Sequence, residues 1–81
     1  MWERAALRDL RRLDRQVAER VREAVQRYVA TGVGDITRLS SDPPEWRLRV
    51  GDWRVRFALS DDGLTVIVLR VRHRREVYRR E

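Results

Sequence analysis

Apolar residues recur at helical spacing through the N-terminal part of the chain and at every second position beyond residue 45, so a helical half precedes a β half. Ala6, Leu10 and Leu13 share one side of a helix over residues 3–13, with Arg4, Arg8, Arg11 and Arg12 turned to solvent. Asp14 is placed to cap a second helix, whose stripe Val17, Val21, Ala24, Val25, Tyr28 and Val29 runs down to Gly32, a C-terminal stop. The two helices should form an antiparallel hairpin. Residues 32–45 read as a connecting loop, because Gly32, Gly34, Ser40, Ser41, Asp42, Pro43 and Pro44 interrupt every period, with Ile36 and Leu39 as anchors.

From Glu45 onward Trp46, Leu48 and Val50 alternate with Arg47 and Arg49. Gly51-Asp52 follows as a two-residue turn, and Trp53, Val55, Phe57 and Leu59 then alternate with Arg54 and Arg56. A glycine at the first turn position suits a type II′ hairpin, which sets Val50 opposite Trp53. Leu48 then faces Val55 and Trp46 faces Phe57 on the apolar side, a core under the helices. On the other side Arg49 faces Arg54 and Arg47 faces Arg56. Like charges directly opposite one another destabilise a sheet, and neither flanking strand is expected to interleave acids, so an anion is the natural occupant of this side. After the Ser60–Gly63 turn, TVIVLRV is apolar on both faces and reads as a central third strand, with Arg70 and Arg72 extending the basic side if register allows. His73 to Glu81 forms a short basic tail of about one helical turn. No repeat, low-complexity tract or domain linker interrupts the chain, which is one domain over residues 1–81.

Composition sharpens the choice of partner. The net charge is +6, from 19 arginines and no lysine against 13 acidic residues, which points to a polyanion or an acidic protein. The absence of lysine has two sources open to it: codon bias in a GC-rich genome, or selection for planar, bidentate phosphate recognition. With no cysteine and a single histidine, His73, neither disulfides nor a thiolate or His-rich metal site can be built. No apolar run approaches a membrane span and the N-terminus lacks a signal-peptide core, so a soluble, cytoplasmic protein is expected.

The run EWRLRVGDWRVRF followed by TVIVLRVRHRREVY resembles the pattern YRxRxGxYRVxY then VxVLxVxHRxxxY of RelE-like toxins in the RelE/ParE superfamily. ERAALRDLRRLDRQVAERV is similar to that family's paired helices, so the resemblance covers nearly the whole chain. It implies an α+β fold, a helix hairpin packed on a small antiparallel β-sheet with the active site on the opposite face. Only Met1-Trp2 precede the first helix, so the family's N-terminal strand is short or missing here, leaving an apolar edge on the third strand. The resemblance implies a type II toxin–antitoxin toxin: a metal-independent, ribosome-dependent mRNA endonuclease that inhibits translation, uses no cofactor and is neutralised by a cognate antitoxin. That antitoxin would supply an acidic or amphipathic segment and would complete the short sheet.

Carried over by motif, Arg47 and Arg49 match a basic pair, Arg54 the arginine of the next strand, Arg74 a basic residue after the last strand, and Tyr78 a C-terminal tyrosine. The candidate catalytic set is Arg49, Arg54, His73, Arg74 and Tyr78, with Arg47, Arg49, Arg56 and Arg75 for RNA phosphate. Guanidinium groups suit charge on a phosphorane, whereas arginine is a poor base. His73 is the side chain whose ordinary chemistry suits proton transfer, against a structural role for a lone histidine. Two other readings stay open: a ParE-like inhibitor of DNA gyrase, and a catalytically weak antitoxin- or RNA-binding module.

Overall fold

A computed structural model describes residues 1–79, with side chains through Val77. The elements are α1 (Arg4–Arg11), α2 (Arg15–Thr31), β1 (Asp35–Leu39), β2 (Glu45–Val50), β3 (Trp53–Leu59), β4 (Val66–His73) and α3 (Arg74–Arg79). The strands form one antiparallel sheet in the order β1-β2-β3-β4. Both long helices lie on one face, α1 against β4 and α2 against β2. Among the described residues no helix is long and apolar enough to cross a membrane.

The helix termini follow the local chemistry of the sequence. Asp14 accepts a hydrogen bond from the Gln16 N–H (3.1 Å) at the start of α2. At the other end Gly32 is left-handed, with φ +77°, and its N–H closes on the Tyr28 carbonyl at 2.8 Å. Between helices and sheet, Ala6, Leu10, Ala18, Val21 and Val25 bury against Leu48, Val50, Val55, Phe57, Val68 and Val71. Phe57 is the largest fully buried side chain and meets Tyr28 at 5.3 Å and Trp46 at 6.1 Å between ring centroids.

The hairpin register is the one expected, with Val50 opposite Trp53, Leu48 opposite Val55 and Trp46 opposite Phe57. Gly51 has φ +59° and Asp52 does not have a positive φ, the type II′ pattern.

Three expectations are corrected. The segment read as a loop contains β1, with Ile36 opposite Leu48 on the core side and Asp35 opposite Arg49 on the other. The strand is short and exposed, and it exists because β2 offers it a ladder rather than because of its own residue pattern. The strand expected at the centre, β4, is instead an edge. That edge is not bare: Met1 O accepts from Val68 N–H (2.8 Å), Glu3 N–H donates to Val68 O (2.9 Å), and Trp2 makes one parallel bridge to Val68. Met1–Glu3 thus lie along this edge, and further along it the Asp9 carboxylate takes the Val71 N–H at 2.9 Å. The sheet has four strands without a partner chain, which removes the reason for expecting an antitoxin to complete it. The basic tail is helical as expected, forming α3.

Candidate nucleic-acid interface

The face of the sheet away from α1 and α2 carries the alternate residues of each strand. On the central hairpin these are Arg47 opposite Arg56 and Arg49 opposite Arg54. The contribution of β4 depends on an irregularity. Phe57 pairs with Val68 but its neighbour Arg56 pairs with Arg70, so Leu69 is skipped and the pleat of β4 changes phase. The bulge sets Val68 and Val71 both toward the core and places Arg70 and Arg72 beside Arg56 and Arg54. Without it a regular ladder would bring Leu69 to the basic face and turn Arg70 inward.

So many guanidinium groups are tolerated because most have been given a partner. Arg54 is only 7% exposed, and its Nη1 donates to the carbonyls of Gly51 (2.7 Å) and Trp53 (3.1 Å), locking the hairpin turn from below. Arg56 Nε lies 3.0 Å from Glu45 Oε1, and Arg49 lies 4.0 Å from Asp35. Acids therefore do interleave on the flanking segments, contrary to the expectation from sequence; Asp35 was hidden in the unrecognised strand. Arg70 reaches around the sheet edge to Asp9, donating from Nε at 2.8 Å and Nη2 at 3.2 Å. Burial pushes the Asp9 carboxyl toward a higher pKa, but the bonds from Arg70 and Val71 outweigh it and hold it below the ordinary value of 3.8. Among the described residues, Arg47 and Arg72 have no carboxylate within ion-pair distance.

These two arginines line an open groove of about 540 Å³ on this face. It is lined by Arg47, Arg54, Arg56, Arg70 and Arg72, by Leu39, Ser40, Ser41 and Glu45, and by Val77 of α3. Five guanidinium groups and one carboxylate share a space large enough for a nucleotide-sized phosphate ester. Among the described residues no cluster of His, Cys, Asp and Glu could hold a metal ion.

Of the residues singled out from sequence, Arg47, Arg54 and Arg56 line the groove. Arg49 lies outside its lining, exposed beside Asp35. Arg74 and Arg75 are exposed on α3 and are not part of the lining either; Arg74 sits 3.6 Å from Asp52 at the hairpin turn. His73, counted in the candidate catalytic set, is not on the arginine face: it pairs with Trp53 across β3 and β4, on the helix side of the sheet. Its ring stands edge-on to the indole at 5.1 Å, and Nδ1 accepts from the Arg75 N–H at 3.2 Å. The phase change at Leu69 causes this, since it also moves residue 73 to the core side. Tyr78 falls in α3, and its side chain lies outside the described residues.

Sequence reasoning missed Glu45 and Asp9. Glu45 has the same parity as Arg47 and Arg49, so the alternation that found the arginines also places it on their face. Asp9 stands three residues after Ala6, within the apolar stripe of α1, and a carboxylate in such a stripe is a sign of a buried partner.

Comparison with known proteins bears on the family and the fold. The sequence matches the family model described as ParE toxin of type II toxin-antitoxin system, parDE, over residues 1–78. No curated protein matches the sequence. Among solved structures, the chain is similar to one in the RelB-RelE antitoxin-toxin complex from Methanococcus jannaschii, with TM-score 0.78 and 20% identity over 99% of this chain and 96% of that one. It is similar to a chain of the toxin-antitoxin complex RelBE2 from Mycobacterium tuberculosis, with TM-score 0.71 and 27% identity over 90% of this chain and 93% of that one. The archaeal RelE-RelB complex from Pyrococcus horikoshii gives TM-score 0.74 and 19% identity, with 90% of each chain covered. A helix hairpin on an antiparallel sheet with a basic open face, matched over nearly its whole length, makes this chain a member of the ParE toxin family of type II toxin–antitoxin systems, within the RelE/ParE superfamily.

Proposed function

We propose that this toxin is a ribosome-dependent mRNA endonuclease that grips the RNA backbone in the arginine groove and is held in check by a cognate antitoxin. The observation that carries the reading is the pair Arg47 and Arg72: two groove arginines without a carboxylate partner among the described residues, beside three more that are already oriented. Unneutralised guanidinium groups at fixed spacing favour a polyanion, and their planar forks suit phosphate oxygens. The solved relatives from Methanococcus jannaschii and Mycobacterium tuberculosis are toxin–antitoxin complexes, which supports the antitoxin as partner.

The protein's share of the chemistry is chiefly electrostatic. Cleavage of RNA by its own 2′-hydroxyl builds charge on the phosphorane, and Arg47 and Arg72 can stabilise that charge beside the already oriented Arg54, Arg56 and Arg70. Glu45, the one carboxylate lining the groove, is the proton acceptor the described groove offers, since arginine scarcely deprotonates. His73 is on the wrong side of the sheet for that work.

The test is a translating lysate with wild-type protein and the Arg47→Ala/Arg72→Ala variant. Arg54→Ala is a poor probe because it would also free the hairpin carbonyls. Codon-periodic cuts that vanish in the double variant are expected, and RNA binding should lose about 1.4 from its log–log salt slope, roughly 0.7 per phosphate contact to a single strand. The match to ParE toxins favours a second reading, inhibition of DNA gyrase. Intact messenger RNA together with blocked supercoiling would establish it in place of the first.

A further inference from the structure

His73 is the residue whose position the proposed chemistry leaves unexplained. It ends β4 and immediately precedes α3, at the point where a helix needs acceptors for its first N–H groups. Its Nδ1 accepts from the Arg75 N–H at 3.2 Å, and the Glu76 carboxylate accepts from the His73 N–H at 3.1 Å. Together they make a reciprocal cap akin to a capping box, with an imidazole taking the second helical N–H where serine, threonine or aspartate usually stands and with glutamate at the third helical position. The indole of Trp53 on β3 packs against the ring in a T-shaped pair, 5.1 Å between centroids. The start of α3 is tied to the hairpin turn as well, by the Arg74 N–H to the Asp52 carbonyl at 2.8 Å.

An imidazole differs from the usual caps in one respect. Once protonated, Nδ1 carries a hydrogen and can no longer accept, and the ring brings a positive charge to a helix N-terminus, where backbone N–H groups already point. The charged groups on the elements around it are Arg72 on β4, Arg74 and Arg75 on α3, and Asp9, Arg12 and Arg70, which line the neighbouring surface with Trp53 and Glu76. Of the nearby acids, Asp52 is engaged by Arg74, and Glu76 is committed to the His73 main chain.

We propose that His73 is a positioning residue: its neutral imidazole caps α3 and so seats Val77 against the arginine groove, and protonation releases that cap. The helix wall of the groove is then present at neutral and alkaline pH and loosened in acid. The effect on RNA rests on the messenger RNA reading above, whereas the effect on α3 does not.

The experiment uses the full chain, wild type and two variants, from about pH 8 down to about pH 5, across the range in which an imidazole takes up a proton. His73→Asn keeps a capping side chain that cannot be protonated, and His73→Ala has none. Carbon-13 shifts of Arg75, Glu76 and Val77 report the order of α3. In wild type the unwound fraction should rise about fivefold on acidification, the equivalent of one lost cap. It should stay low and flat in His73→Asn and high and flat in His73→Ala. Messenger RNA cutting in the lysate should follow: His73→Asn active, with the acid limb of the wild-type profile removed. Equal pH dependence of α3 in wild type and His73→Asn overturns the proposal, as does loss of cutting in His73→Asn at every pH with α3 intact, which would make the imidazole itself reactive. If α3 follows His73 as described but no variant and no wild type touches RNA, the capping role stands and the RNA reading falls.

Discussion

Replacing Asp9 with alanine should be among the most damaging changes to a charged residue in this protein. The carboxylate is 7% exposed and serves three donors: Arg70 Nε at 2.8 Å, Arg70 Nη2 at 3.2 Å and the Val71 N–H at 2.9 Å. Asp9→Ala leaves the Val71 amide unpaired at the sheet edge, which costs about 1–3 kcal/mol, and breaks an ion pair that would cost about 3–5 if fully buried. The Arg70 side chain is 30% exposed, so water recovers part of its loss, and about 2–4 kcal/mol in total is expected. A domain of this size has about 4–12 kcal/mol to lose. In urea the unfolding midpoint should fall by roughly 2 M with the slope unchanged.

Acid provides the internal control for that prediction. The folded Asp9 carboxyl lies below its ordinary 3.8, so the unfolded chain takes up this proton first as pH drops. The stability that Asp9 contributes is therefore full above the unfolded value and is lost as pH falls through the folded one. Asp9→Asn retains an acceptor for Val71 but not the charge, so its deficit relative to wild type should be about 1–2 kcal/mol at neutral pH and shrink in acid. A midpoint shift below roughly 0.3 M for Asp9→Ala, or an Asp9→Asn deficit that persists undiminished at about pH 3, would refute the assignment of Asp9 as the clamp on this edge.

Two further outcomes test the fold beneath the groove. Gly51→Ala forces a side chain onto φ +59° at the hairpin turn, with open space around it, so about 1 kcal/mol of backbone strain and no clash is expected in denaturant unfolding. Phe57→Ala empties the largest fully buried site and should cost about 3–5 kcal/mol; a protein that keeps its wild-type melting temperature would show that the helices do not pack there as described.

The elements that depend on local patterning were legible in the chain. The stripe from Val17 to Tyr28, the Asp14 and Gly32 caps and the Gly51-Asp52 turn each rest on chemistry within a few residues; Val29, expected to close that stripe, is instead exposed. The hairpin register followed from that turn alone, and with it the shared face of Arg47, Arg49, Arg54 and Arg56. What was not legible depended on partners far along the chain. β1 has a weak pattern and becomes a strand by pairing with β2, which is how Asp35 comes to face Arg49. The bulge at Leu69 reverses the pleat of β4, bringing Arg70 and Arg72 into the groove and carrying His73 out to the other face. No spacing rule announces it, because it is settled by how Val68 and Val71 both reach the core and by Asp9, 62 residues earlier than Val71, accepting the amide that results. A helix hairpin, a β-hairpin and an arginine-rich face are written into the chain locally. Which of those arginines stay available for a phosphate is settled only on folding, because it depends on which carboxylates and carbonyls are brought within reach of the others.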